Sequence, residues 1–229
     1  MRKSIIITAA LGLSALSANA QNLMQNGSFE IPGPGFLLLE DWINFGNVFT
    51  DIGGVEVLAQ DGTTAVKMFG ASSGSQSDQV LLQTVGGITP GEQYTLSGYV
   101  LNPLVDALGD ENIILFQMNF QDAGGNNIEQ PEVVGFDNAS DPFDTWIESS
   151  VSGIAPPGTS QITVALLHIQ LGADAGFPTQ GGGATFWDNV TLVEGGDVPC
   201  SNPADFNNDG VLDFFDISAF LQEFSAGCP

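Results

Sequence analysis

The 229 residues hold 27 acids against three Lys and Arg. That balance excludes nucleic acid and anionic lipid as partners, because binding either relies on clustered basic side chains displacing counterions. Divalent cations and neutral ligands are compatible with such a surface, and since 43% of the residues are hydrophobic and patterned, the acidity does not imply disorder.

In chain order, the opening "MRKSIIITAALGLSALSANAQ" places Arg2 and Lys3 ahead of an apolar run ending in Ala18-Asn19-Ala20, the pattern of a secretory signal peptide. Residues 1–20 are therefore expected to be removed and the protein to be secreted or displayed at the cell surface. The run is too short for a spanning helix, and no later stretch approaches the ~20 apolar residues that membrane insertion needs. No cysteine sits at the cleavage position, so a lipid anchor is not indicated. Without the signal, 27 acids face Lys67 alone, a formal charge of 1 − 27 = −26.

From residue 21 to 194, short apolar or alternating runs are separated by Gly, Pro, Asn and Asp, the texture of an antiparallel β-sandwich. The expected strands are "VEVLAQ", "AVKMFG", "QVLLQTV", "QYTLSGYVLN", "NIILFQMNFQD", "WIESSVSGI", "QITVALLHIQL" and "ATFWDNVTLVE". Turn signals such as "TPGEQ" and "DAGGNN" fall between them. Residues 195–199 read as a linker to a final unit, residues 200–229.

The order of "NLMQNGSFEIPG", "QDGTTAVKM", "LLQTVGGITPGEQYTLSGYV", "FQDAGGNNI", "SGIAPPGTSQITVALL" and "ATFWDNVTL" resembles the galactose-binding-like superfamily, particularly its xylan- and glucan-binding modules. The resemblance implies an all-β jelly roll for residues 21–194, a non-catalytic role, and a neutral polysaccharide as partner. It also implies a calcium ion where the first and last strands meet, with Glu30 and Asp188 as acid ligands and Asn189 in place of a further acid. Calcium suits carboxylates mixed with backbone carbonyls because it accepts oxygen ligands in flexible number.

Period-two alternation assigns the faces. Ile114, Phe116, Met118 and Phe120 share one face, with Gln117 and Asn119 on the other. In the later strand Ala165, Leu167 and Ile169 alternate with Val164, Leu166, His168 and Gln170; in "QYTLSGYVLN", Tyr94 and Leu96 alternate with Thr95, Ser97 and Tyr99. Should these strands adjoin in the concave sheet of such a jelly roll, Tyr99, Gln117, Asn119, His168 and Gln170 converge into a surface of amides, imidazole and an aromatic ring suited to sugar hydroxyls and a pyranose face. The alternative is ordinary solvent-facing polarity on a half-buried sheet. Trp42, Trp146 and Trp187 are expected to pack in the core; Trp42 and its neighbour Phe45, in the early loop "LLLEDWINFGN", are the first candidates for exposure instead.

Little points to catalysis: no serine sits in a nucleophile elbow, His168 is the only histidine, and acids this numerous form pairs at any spacing by chance.

The final unit carries the most specific motif. With Asp205 at position 1, "DFNNDGVLDFFD" supplies Asp205, Asn207 and Asp209, Gly210 at position 6, the Val211 carbonyl at 7, Asp213 at 9 and Asp216 at 12. That is the EF-hand calcium loop with Asp for Glu at its last position. Phe214, Ile217, Phe220, Leu221 and Phe224 then recur at helical spacing, an apolar stripe needing a partner surface, either the sandwich or a receptor. One loop with only an exiting helix resembles a dockerin repeat, closest to the cysteine-flanked tails of secreted planctomycete-type bacterial proteins. This implies a cohesin-like or cell-surface receptor, although dockerins normally carry two repeats. Cys200 and Cys228 bracket the unit, and export makes their pairing expected, worth roughly 3–4 kcal/mol by loop closure.

Overall fold

The computed structural model describes residues 21–34, 38–70, 75–109, 112–136, 140–172 and 182–195. The signal segment, Cys200, Cys228 and the calcium-loop positions Asp205, Asn207, Asp209, Val211, Asp213 and Asp216 lie outside the described residues.

Among the described residues, eleven strands make two antiparallel sheets. β1 (Ile43–Phe45), β4 (Ser77–Gly86), β10 (Gln161–Gln170), β6 (Asn112–Gln121) and β7 (Asn127–Glu129) lie side by side in that order, with β8 (Glu132–Val134) also paired to β6. The other sheet runs β2 (Val48–Ile52), β3 (Thr64–Phe69), β11 (Ala184–Glu194), β5 (Gln93–Leu101) and β9 (Ile147–Ile154). A 3-10 turn over Leu104–Asp106 follows β5, and no helix among the described residues is long and apolar enough to cross a membrane. The all-β sandwich expected from the alternation is the fold observed.

The core forms where the two inner faces meet. Ile114, Phe116, Met118 and Phe120 of β6 and Ile162, Val164 and Leu166 of β10 pack against Val66, Met68, Leu96, Val100, Trp187 and Leu192 of the other sheet. Phe116 meets the Trp187 ring at 5.0 Å and Phe120 meets Tyr94 edge-on at 6.4 Å, geometries that add to the area these rings bury. Trp42 is buried against Phe29, and Phe45 is 56% exposed.

The chain start closes onto the last strand. Leu23 N–H donates to the Leu192 carbonyl, and Val190 N–H to that of Gly27. A Cβ at Gly27 would lie 2.1 Å from the Val190 carbonyl oxygen, so this close approach requires glycine. Beside it β11 bulges: Asp188 opposes Tyr99 and Thr191 opposes Ser97, leaving one extra residue on β11, with Asn189 at φ 49°. Asn is among the few residues that tolerate this left-handed conformation.

The expected strand over Val55–Gln60 is not formed. The carboxylate of Asp51 accepts the N–H groups of Val55, Glu56 and Val57 at 2.9–3.0 Å, so this apolar run satisfies its backbone at one buried side chain instead of along a neighbouring strand.

Candidate functional site

The five residues expected to converge on one surface divide between both sheets and both faces. Tyr99 lies on β5, in the sheet that does not contain β6 and β10. His168 and Gln170 point inward, 0% and 1% exposed; on β10 the outward residues are Thr163, Ala165, Leu167 and Ile169. Only Gln117 and Asn119 share the outer face of β6. Of these, Asn119 is buried with its amide donating to the Thr163 carbonyl, and Gln117 donates to Glu132. The expected sugar-facing surface is therefore not assembled.

Buried hydrogen bonds reverse the phase expected for β10. Asn112 donates through Nδ2 to the carbonyls of Gly109 and Gly182, which turns its Oδ1 toward His168 Nε2 at 2.9 Å. The Nε2 therefore carries the proton. Nδ1 then accepts from the Thr185 hydroxyl at 3.0 Å, while that hydroxyl accepts from Trp187 Nε1 at 2.8 Å. Every polar side-chain atom of the Asn112–His168–Thr185–Trp187 run is satisfied, which allows the run to occupy the interior. Burial pushes the His168 pKa down to about 4, opposed by a hydrogen bond to the Met68 backbone, so the imidazole is neutral.

Glu30 and Asp188 hold one loop from two sides. Glu30 Oε1 accepts the N–H groups of Thr63 and Thr64, and Oε2 accepts the Thr63 hydroxyl. Asp188 Oδ2 accepts the N–H groups of Gln60 and Asp61, and Oδ1 accepts that of Asn189. Asn189 in turn donates to Gln60 Oε1. Partial burial acts to raise the Glu30 pKa, but the Thr63 and Thr64 hydrogen bonds outweigh it and leave the group below its ordinary value. Asp188 is the opposite case. Burial raises it to about 6, assisted by the Asp61 charge and opposed by its three backbone donors. Oxygen-only, anionic groups around one loop suit a hard divalent cation. Among the described residues no three His, Cys, Asp or Glu side chains converge.

A different feature stands out on the outer face of the second sheet. Val100 pairs with Ile147, which sets Trp146 opposite Leu101, one residue before β9. Trp146 is half-buried against the small cluster of Ala65, Leu101, Phe186 and Val57, and its Nε1 donates to the Leu58 carbonyl at 3.0 Å. Glu56, Val57, Leu58, Leu101, Asp144 and Trp146 line a cleft of about 430 Å³. One wall is the segment pinned by Asp51. The other is fixed by Asp144, at φ 54°, whose N–H donates to the Asn102 carbonyl and whose carboxylate accepts Leu104 N–H.

Lys67 pairs with Glu56, lies 3.9 Å from Asp106, and sits over the Phe186 ring at 5.5 Å. Tyr99, opposite Glu148 on the same face, has its pKa raised by burial and by the Glu148 carboxylate that accepts its hydroxyl. The cleft thus combines an indole and aliphatic surface with two exposed carboxylates. This offers a C–H-stacking platform beside hydroxyl acceptors. Sequence reasoning assigned Trp146 to the core and singled out neither Glu56 nor Asp144; the available signal was a Trp placed at a strand entrance, two residues after an exposed acid.

No family model and no curated protein matches the chain. Solved structures do. A cyclase from Fischerella sp. is 18% identical at a TM-score of 0.51, over 78% of this chain and 98% of that one. The enzymatically active domain of tailspike protein 4 from bacteriophage CBA120 is 16% identical at 0.50, over 76% of this chain, which spans only 21% of that one. The xylan-binding domain of a Paenibacillus barcinonensis protein is 16% identical at 0.45, over 76% and 95%. The similarity to the first two shows a shared sandwich fold, a scaffold that hosts unrelated functions.

Proposed function

We propose that the sandwich is a non-catalytic module that binds a neutral polysaccharide in the Trp146 cleft. The observation supporting this most directly is the half-buried indole flanked by Glu56 and Asp144 in an open cleft. An aromatic face with a few fixed polar groups suits a pyranose. The carboxylates make a poor seat for phosphate or uronate, and Lys67, the sole Lys or Arg of residues 21–229, is already paired with Glu56.

Calcium is proposed in two places. At the first, Glu30 and Asp188 would supply carboxylate oxygens and the Gln60–Thr64 loop its carbonyls. At the second, the loop from Asp205 to Asp216 would fold residues 200–229, together with a Cys200–Cys228 disulfide, into a handle for a cohesin-like or cell-surface receptor.

Affinity electrophoresis against xylan, glucan and galactan tests the module. Retardation on at least one polymer is expected, with Trp146→Ala weakening it at least 10-fold, as loss of a central aromatic anchor does. Gln117→Ala, on the opposite sheet, should leave it unchanged. Silence on all neutral polymers overturns the reading in favour of a structural or adhesive surface protein, and release of new reducing ends overturns its non-catalytic part.

A further inference from the structure

On the outer face of the first sheet one row of residues is apolar across the full width. Pairing aligns Phe45, Val80, Leu167, Leu115 and Val134 in one row over β1, β4, β10, β6 and β8. Ile43, Leu82 and Ala165 flank this row on one side, where Gln117 and Glu132 continue the flank, and Ile169 and Ile113 flank it on the other beside Asp78. Phe45, Ile43 and Val134 are each more than half exposed. Five strands at ~4.8 Å spacing make a band roughly 19 Å wide, and contiguous apolar surface of this kind marks a docking site.

We infer that this band is the seat of the chain's own C-terminal stripe, Phe214, Ile217, Phe220, Leu221 and Phe224. At helical rise those positions span about 16 Å, which matches the band. The connection is long enough. Glu194 pairs with Tyr94, whose ring packs on Phe120 of β6, so the chain leaves the sandwich about five residues, or roughly 17 Å, along β6 from Leu115. Residues 196–213 reach up to about 60 Å when extended.

A second copy is the competing occupant. Each copy of residues 21–229 carries 1 − 27 = −26 charges and repels another, whereas a tethered segment acts at an effective concentration in the millimolar range. The inference rests on the helical reading of residues 214–224 and uses none of the glycan chemistry, so a failed polysaccharide titration leaves it standing.

The test uses the chain from residue 21 to 229, in calcium, with benzoylphenylalanine incorporated at position 45, where the native ring is already exposed. Irradiation should give intrachain crosslinks that mass spectrometry maps to residues 214–224 in the monomer, and Phe220→Asp should reduce their yield at least fivefold. The same probe at Val105, in the turn beside Lys67 and away from the band, should give none to the tail. Crosslinks confined to a dimer assign the band to a second copy and overturn the inference. Absence of tail crosslinks, or a yield unchanged by Phe220→Asp, overturns it equally.

Discussion

At the scale of single residues, two buried titratable groups oppose each other with pH. His168 has a folded pKa of about 4 against an ordinary 6.5. As pH falls through that window the unfolded chain takes up a proton that the folded chain refuses, so stability present above 6.5 is lost toward 4. The shift corresponds to about 3 kcal/mol. Asp188, raised to about 6 from 3.8, has the reverse sign: its folded state favours the protonated form, so its contribution declines as pH rises from 3.8 through 6. Urea unfolding of the native chain and of His168→Gln at pH 7 and pH 4 separates the two, because Asp188 is common to both chains. The native chain should lose about 3 kcal/mol more than the variant; parallel pH profiles would show that His168 is protonated in the folded state.

Among elements, the segment over Val55–Leu58 determines whether the cleft has a wall. Its N–H groups end on Asp51, itself buried, so removing that carboxylate releases three donors together. Asp51→Ala should cost about 3 kcal/mol and speed amide exchange at Val55, Glu56 and Val57 at least 10-fold, while amides of β10 keep their protection. Unchanged exchange at those three amides would mean that the wall is held by other contacts. The same segment shows where sequence reading stops. Long strands with one apolar face, such as β6, were legible, whereas the three-residue strands β1, β7 and β8 are too short to carry a period. β10 was legible as a strand but not in phase: Leu167 and Ile169 lie outside and His168 and Gln170 inside, so polarity pointed to the wrong face. The partners that allow His168 inside, Asn112 and Thr185, lie 56 and 17 residues away. Trp146 failed similarly, because its exposure depends on a loop nearly 90 residues upstream.

The whole molecule is governed by its charge. With 27 acids and Lys67 over residues 21–229, folding concentrates negative charge that salt screens and divalent cations neutralise. Raising sodium chloride from ~10 mM to ~0.5 M shortens the screening length several-fold, and relief of 1–2 kcal/mol would raise the melting temperature by roughly 3–6 °C. Bound calcium acts differently from screening. At ~100 times its dissociation constant it adds about 2.7 kcal/mol per site, an increment that magnesium at matched ionic strength should not reproduce, since magnesium demands stricter octahedral geometry and sheds water reluctantly. Melting the sandwich, followed by the fluorescence of the buried Trp187 and Trp42, should therefore show a calcium-specific rise that Asp188→Asn reduces by one site's share. Asp205→Ala should keep the share of that rise contributed by the Glu30–Asp188 site while abolishing any calcium-induced helical signal from residues 200–229. Identical melting curves in calcium, magnesium and sodium at one ionic strength would reduce the ion's role to screening and remove the Glu30–Asp188 site.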